Sequence, residues 1–368
     1  MNESENFIIG CGPAGLAIAG VLRQNNIDFT IVEQSDNIAN AWHQHYDRLC
    51  LHTVKELSHL PGLPFPDDCE RYVPRKKLVN YFQNYANQFQ INPILNTEIK
   101  SVEREKEKWK VSTAKDEIYI CNNVIFATGT NREPIIPTWK GQANFKGDII
   151  HSRYYKNTQP YKKQKVLVVG MGNTGAEIAL DLAENNIDVS VCVRSPLNIV
   201  PRDLFGKPTQ LTGKLLDKLP FGDWLGAQTA KLVYGDLSKY GIERSKVYPS
   251  QQLKKFGRTP TIDLGTVAQI KKEKIKVLPD ITHISTNGVH FNNDKLIDFD
   301  SLILATGYKA KVEDILVDSN GLIDDLGYPK NAIANGKHKG LYFIGFDVYK
   351  LGGIFGTIGN EAELIQKI

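Results

Sequence analysis

The chain has 368 residues, 41% hydrophobic and 23% charged, with a formal net charge of +4. That is the composition of a folded globular protein, long enough for two domains with separate cores, and it excludes a disordered chain. The slight positive balance supports at most a preference for anionic ligands, and no apolar run nears the length of a membrane span, so neither nucleic acid nor membrane is an expected partner.

Asn6 to Glu33 carries the strongest local signal. Phe7, Ile8 and Ile9 make a short apolar strand that runs into Gly10. Gly10, Gly12 and Gly15 spell G-x-G-x-x-G, with Pro13 and Ala14 inside it. Ala17, Ile18, Val21 and Leu22 follow at helical spacing, and Phe29, Ile31 and Val32 make a second strand ending at Glu33. Strand, glycine turn, helix, strand and acid is the context of a dinucleotide fingerprint. The first glycine allows the tight turn, the second admits a pyrophosphate to the backbone, and the third lets the helix close on its strand. The helix N-terminus offers free N–H groups and a partial positive charge. Glu33 suits a ribose hydroxyl and repels a 2′-phosphate, which points to FAD or NAD and away from NADP. An ordinary glycine-rich loop is the bland alternative.

The next stretch lacks a clean period and reads as loop with a short helix. In it Trp42 either packs in a core or walls a flat ring. His43, His45 and His52 are too irregularly spaced for a metal site. Pro74 to Phe89 reads as an amphipathic helix with Leu78, Val79, Phe82, Tyr85, Ala86 and Phe89 on its apolar side. Glu98 to Ile120 reads as two alternating strands joined by a solvated E-R-E-K-E-K hairpin. Asn123 to Gly129 is a buried strand ending in Ala127-Thr128-Gly129, and the polar run Lys162 to Lys165 reads as a boundary.

The opening device then recurs. Val166 to Val169 run into Gly170-Met171-Gly172-Asn173-Thr174-Gly175, a helix follows, and Val189 to Val193 form a strand. Even N-N-I-D repeats, at Asn25 to Asp28 and Asn185 to Asp188. Here the second strand ends at Arg194 and Ser195. A guanidinium and a hydroxyl suit a 2′-phosphate, so NADPH is the expected second nucleotide; if Arg194 is a plain surface cation, NADH serves equally.

Pro201 to Tyr248 is helical and interrupted, compatible with the lining of a substrate entrance. Thr259 to Pro279 mixes strand and helix. Phe299 to Tyr308 repeats the strand into Ala305-Thr306-Gly307, and Leu341 to Phe346 is another buried strand. Asn360 to Ile368 reads as a helix preceded by Gly352-Gly353 and Gly356; its N-terminus either faces a flavin or simply packs. The five cysteines (Cys11, Cys50, Cys69, Cys121, Cys192) are scattered without C-x-x-C, so no disulfide framework or metal site is expected, and a reducing cytoplasm is the expected compartment.

Several longer patterns resemble those of class B flavoprotein monooxygenases, the flavin-containing monooxygenase group. Phe145 to Tyr155 fits F-x-G-x-x-x-H-x-x-x-Y/F, and Ala127-Thr128-Gly129 with Pro134 and Pro137 fits A-T-G-x(4)-P-x-x-P. Leu304 to Tyr308 fits L-A-T-G-Y. Within the group the chain is most similar to the YUCCA type, known from plants as indole-3-pyruvate monooxygenases. Tyr46-Asp47-Arg48-Leu49-Cys50-Leu51-His52 resembles Y-D-R-L-K-L-H, and Gly257 to Thr266 resembles G-K-T-P-V-L-D-V-G-T. The amine- and sulfide-oxidising branch places Asn where this chain has His52.

The resemblance implies an α/β fold of two Rossmann-like dinucleotide-binding domains, the second inserted into the first. The expected limits are 1–157 and 299–368 for FAD and 158–298 for NADPH. It implies an FAD- and NADPH-dependent monooxygenase that transfers one oxygen atom from O2 to a small molecule through a C4a-(hydro)peroxyflavin. The substrate is a 2-oxo acid such as indole-3-pyruvate or a soft nitrogen or sulfur nucleophile. Gly10, Gly12, Pro13, Ala14, Gly15, Glu33, Gln34, Trp42, Thr128 and Gly129 are the expected contacts of FAD. Gly170, Gly172, Asn173, Thr174, Gly175, Arg194 and Ser195 are those of NADPH. Thr306 and Gly307 complete the cofactor set, His52 is the catalytic candidate, and His151 is expected to hold its neighbours in place. An NAD(P)H oxidase or reductase and a non-catalytic flavin sensor remain as alternatives, and a homodimer stays open.

Overall fold

The computed structural model describes residues 2–325, 327–350 and 353–365. The chain divides into two compact units: Met1–Gln44, Leu49–Glu133 and Tyr308–Ile368 form one, His45–Arg48 and Pro134–Gly307 the other. Both are α/β, and the second is inserted in the sequence of the first.

In the first unit Asn2–Ile9 lies between Thr30–Val32 and Ile118–Phe126, all parallel. Phe7, Ile8 and Ile9 are covered on both faces, as a continuous apolar run in a parallel sheet must be. The far edge of Ile118–Phe126 is shared: Lys108–Thr113 pairs antiparallel with its first half, and Leu341–Phe343 parallel with its second. Ile99–Glu105 and Lys108–Thr113 are two strands of the expected hairpin, but most of the charged run lies within them, and only Lys106 and Glu107 form the turn. Pro13–Gln24, Arg75–Gln88 and Gly353–Ile365 contribute apolar stripes to one core. The last helix begins at Gly353, seven residues before the expected start, because Phe355 and Ile358 already belong to its buried face. Gly352 and residues 366–368 of that expectation lie outside the described residues.

The second unit carries a five-stranded parallel sheet in the order Ile275–Leu278, Asp188–Cys192, Lys165–Val169, Ser301–Leu304, Asp148–His151. Asp148–His151 is therefore an edge strand of this unit. That is why the division falls at 133/134 and 307/308 in place of 157/158 and 298/299, and why the lysine run at 162–165 is no boundary. An antiparallel sheet of Ile281–Ile284, Gly288–Phe291 and Leu296–Asp298, which periodicity did not reveal, covers one face.

The repeated N-N-I-D is a helix stop. Asn26 and Asn186 adopt left-handed φ of 56° and 57°. The N–H of Ile27 donates to Leu22 O, and that of Ile187 to Leu182 O, each over 3.0 Å. Asn tolerates this conformation, and the bonds close each helix before its second strand.

Candidate functional site

In both units the glycine turn sits at the carboxyl end of a strand whose neighbours lie on opposite sides, the switch point where open α/β sheets take ligands. The two turns share their wiring. Gly10 and Gly170 have φ of 100°. The N–H of Gly10 donates to Val32 O over 2.9 Å, and that of Gly170 to Cys192 O over 3.0 Å. A Cβ on Gly15 would stand 1.9 Å from Gly10 O, and one on Gly175 2.0 Å from Gly170 O, so helix and turn touch only because both positions are glycine. A Cβ on Gly12 or Gly172 would meet nothing within 4 Å. These middle glycines face open space at the N-termini of Pro13–Gln24 and Asn173–Glu184, and no side chain caps either helix. The first-turn N–H groups there are left for an anion.

The strand tips differ. Glu33 is half-buried and turned inward: Oε2 accepts the Cys11 N–H at 2.9 Å, and Oε1 accepts the Ser35 N–H and hydroxyl at 3.1 and 2.8 Å. A carboxylate has about four acceptor positions, so it braces the turn and retains room for a hydroxyl. Gln34 beside it is exposed. Arg194 and Ser195 are exposed at the end of Asp188–Cys192.

The two A-T-G stretches also differ. The Thr128 hydroxyl is buried without a hydrogen-bond partner, next to Gly129, which has φ of 75° and open space at its Cβ position. Thr306 instead donates to Ile135 O over 2.5 Å, and Gly307 O accepts the Ile135 N–H at 3.0 Å. His151 is 2% exposed; its Nδ1 accepts the Arg153 N–H, so the neutral ring donates from Nε2 to Gly307 O at 3.1 Å. Burial holds its pKa below the ordinary histidine value. Asn173 is likewise engaged, accepting the Ile262 N–H at 2.7 Å. Thr306, Gly307, His151 and Asn173 thus brace the second turn's surroundings. Thr174 is half-buried in the first turn of its helix.

Trp42 is half-buried, its ring 6.0 Å from Phe82 and 5.7 Å from Phe355 between centroids, so one side packs on the core. His52 is half-buried in the loop after Leu51, whose N–H bonds to Val73 O. Sequence reasoning missed Glu361. It is 6% exposed on Gly353–Ile365 and accepts the Gly345 N–H at 2.7 Å, while burial pushes its carboxyl up to about 7. A Cβ on Gly345 would lie 2.9 Å from Ala14 Cβ, so this acid stands one residue's width from the first glycine turn. The signal was an acid at helical spacing within the stripe Phe355, Ile358, Ala362 and Ile365.

The model of the pyridine nucleotide-disulphide oxidoreductase family matches residues 7–202. The chain is similar to the probable indole-3-pyruvate monooxygenase YUCCA3 of Arabidopsis thaliana, at 37% identity over 92% of this chain and 81% of that protein. It is similar to the indole-3-pyruvate monooxygenase YUCCA4 of Oryza sativa subsp. japonica, at 35% over 98% and 87%. The chain belongs to the YUCCA family of flavin-dependent monooxygenases. A flavin-containing monooxygenase from Stenotrophomonas maltophilia shares the fold, with a TM-score of 0.77 and 18% identity over 100% of this chain and 98% of that one.

Membership in the YUCCA family implies a flavin and NADP(H). The residues fit such groups: two uncapped helix N-termini stand over glycines that leave a pyrophosphate room, and the orphaned Thr128 hydroxyl lacks only a polar ligand. Cys11, Cys121 and Cys192 are buried, and burial raises each thiol pKa, as expected of inert thiols.

Proposed function

We propose that the chain is an FAD- and NADPH-dependent monooxygenase acting on a 2-oxo acid, with indole-3-pyruvate as the candidate substrate. The observation that carries the reading is the pair of open glycine cradles with opposite charges at their strand tips, Glu33 in one and Arg194 in the other. The printed activity of the relatives supplies the substrate class.

Gly10, Gly12 and Gly15 with Pro13 and Ala14 would hold the FAD pyrophosphate, Glu33 its ribose, and Thr128 and Gly129 its inner face. When bound, the flavin supplies two-electron reduction and O2 activation, which no side chain here provides. Gly170, Gly172 and Gly175 would hold the NADPH pyrophosphate, and Arg194 with Ser195 its 2′-phosphate. Trp42, braced by Phe82 and Phe355, offers an apolar wall that excludes water. His52, half-buried after Leu51, is the candidate to hydrogen-bond the flavin, with a structural histidine as the alternative.

The overall reaction balances as 2-oxo acid + NADPH + H⁺ + O2 → carboxylic acid with one carbon fewer + CO2 + NADP⁺ + H2O. One O2 atom enters the new carboxylate and the other leaves as water. The experiment is turnover with indole-3-pyruvate under ¹⁸O2. One label in the acid product, with NADPH consumed in equal amount, is the expected result. NADPH consumption that yields only hydrogen peroxide favours an oxidase, and no flavin reduction favours a sensor.

A further inference from the structure

One surface of the second unit is apolar where it should be polar. Among the described residues, 16 large hydrophobic side chains are exposed, and nine of them fall between Phe205 and Val233. Single exposed apolar side chains are ordinary; a cluster marks an interaction site.

The cluster has helical order. On Gly222–Tyr234 the buried residues are Gly222, Ala230 and Tyr234. Trp224, Leu225 and Leu232, with Phe221 just before the helix, recur at three, four and seven residues and share the opposite, outward face. On Thr209–Leu216 no residue is buried, Leu211 and Leu215 stand four apart and exposed, and Leu219 continues the row. The connection between the two helices is tight, since a Cβ on Gly222, the first residue of the second, would meet O of Leu216, the last residue of the first, at 1.8 Å. Phe205, 88% exposed, sits at the tip of the neighbouring hairpin with a left-handed φ of 49°.

The charges around this face are one-sided. Asp217 is held by Lys254 at 2.7 Å, and Asp223 accepts the Ser250 hydroxyl. Among the described residues no ion pair takes up the ammonium of Lys207, Lys214 or Lys218. A two-fold contact with a second copy would set this face against itself and place lysine against lysine. An anionic surface would neutralise them. Helices of 8 and 13 residues are about 12 and 20 Å long, too short to span a bilayer and suited to lie on one.

We propose that Phe205 to Val233 docks the protein on an anionic lipid surface, with the leucines, Phe221 and Trp224 entering the headgroup layer and Lys207, Lys214 and Lys218 meeting lipid phosphates. The expectation of no membrane partner rested on the absence of a spanning run, which docking of this kind does not need. It is independent of the reaction catalysed.

The experiment is flotation of the full-length protein with vesicles of phosphatidylcholine alone or mixed with phosphatidylglycerol, read also by tryptophan emission. The expected result is binding to the mixed vesicles only, weakened by salt, with a blue shift that Trp224→Phe removes. Lys214→Glu with Lys218→Glu should lower partitioning at least about 25-fold, at roughly five-fold per lysine. Leu215→Ser with Leu232→Ser should abolish it, while circular dichroism and NADP(H) binding report a preserved fold. Equal flotation with both vesicle types, flotation with neither, or a solution dimer split by the leucine variants would overturn the proposal; the last would assign the face to a second copy.

Discussion

The Tyr155 hydroxyl donates to Asp181 Oδ2 over 2.6 Å, and both side chains are buried. Arg48 Nη1 reaches the same carboxylate at 3.2 Å and Glu184 at 2.8 Å, and Tyr46 donates to Glu177 over 2.7 Å. Tyr155 closes the F-x-G-x-x-x-H-x-x-x-Y pattern, and Tyr46 and Arg48 belong to Y-D-R-L. Both motifs thus clamp the helix Asn173–Glu184 that carries the second glycine turn. Tyr155→Phe should destabilise the protein by about 1.5–3 kcal/mol, the worth of a hydrogen bond to a charged group, seen as a lower urea midpoint. An unchanged midpoint would mean that Arg48 alone satisfies Asp181.

The middle and last glycines of each turn should separate binding from folding. Gly15→Ala drives a methyl to 1.9 Å from backbone that cannot yield, and should leave little folded protein. Gly12→Ala adds a methyl to open space, so the chain should fold with near-normal thermal stability and yet purify without yellow colour. Flavin retained by Gly12→Ala would remove the pyrophosphate from this cradle.

Thr128 and Thr306 occupy the same place in two A-T-G stretches and should respond oppositely. Thr128→Val deletes a buried hydroxyl that has no partner, so apoprotein stability should hold or rise, while flavin affinity falls about five- to ten-fold with one lost hydrogen bond. Thr306→Val strands Ile135 O and should cost about 1–3 kcal/mol of stability with little change in flavin affinity. Titration of apoprotein with flavin, paired with urea unfolding, tests both.

Much of this was legible in the sequence because local patterns dictated it. The glycine turns, the strands feeding them and the acid or guanidinium at each tip are short-range features, and the structure builds both in the same way. The unit limits were not legible, because Asp148–His151 takes its place only by pairing with Ser301–Leu304, about 150 residues on. The start of the last helix was misjudged because Gly353, Gly356 and Gly359 argue against helix locally, and only burial of Phe355 and Ile358 overrides them. The motifs marked Asn173 and Thr306 as expected cofactor contacts, but no spacing reveals that Asn173 Oδ1 also accepts the Ile262 N–H and that the Thr306 hydroxyl donates to Ile135 O.

Glu361 makes stability depend on pH. Its carboxyl is raised from 4.5 to about 7, chiefly by burial. A folded pKa above the unfolded one means that the neutral form favours folding. Its contribution is complete below pH 4.5 and is lost as pH rises through about 7. Glu361→Gln stays neutral and keeps an acceptor for the Gly345 N–H. The variant should match wild type near about pH 4 and exceed it by about 3 kcal/mol above about pH 8. A stability difference that is flat across that range, measured by urea unfolding of the apoproteins, would show that Glu361 titrates normally.

On the function proposed above, Arg194 is the residue expected to discriminate between the two nicotinamide cofactors. It is exposed just past Asp188–Cys192, one residue beyond the position that matches Glu33 of the first unit, and guanidinium and carboxylate have opposite preferences for a phosphate on the ribose. Arg194→Ala removes the charge without disturbing a buried contact, so stability should be unchanged. The KM for NADPH should rise about 10- to 100-fold, matching about 1.5–3 kcal/mol for a charge-assisted bond, while that for NADH moves little. Arg194→Lys should recover part of the loss, since a point charge still attracts the phosphate but cannot grip it with two parallel bonds. If both coenzymes suffered alike, the guanidinium would be serving the shared part of the dinucleotide, and the 2′-phosphate would have to be sought elsewhere on the second unit.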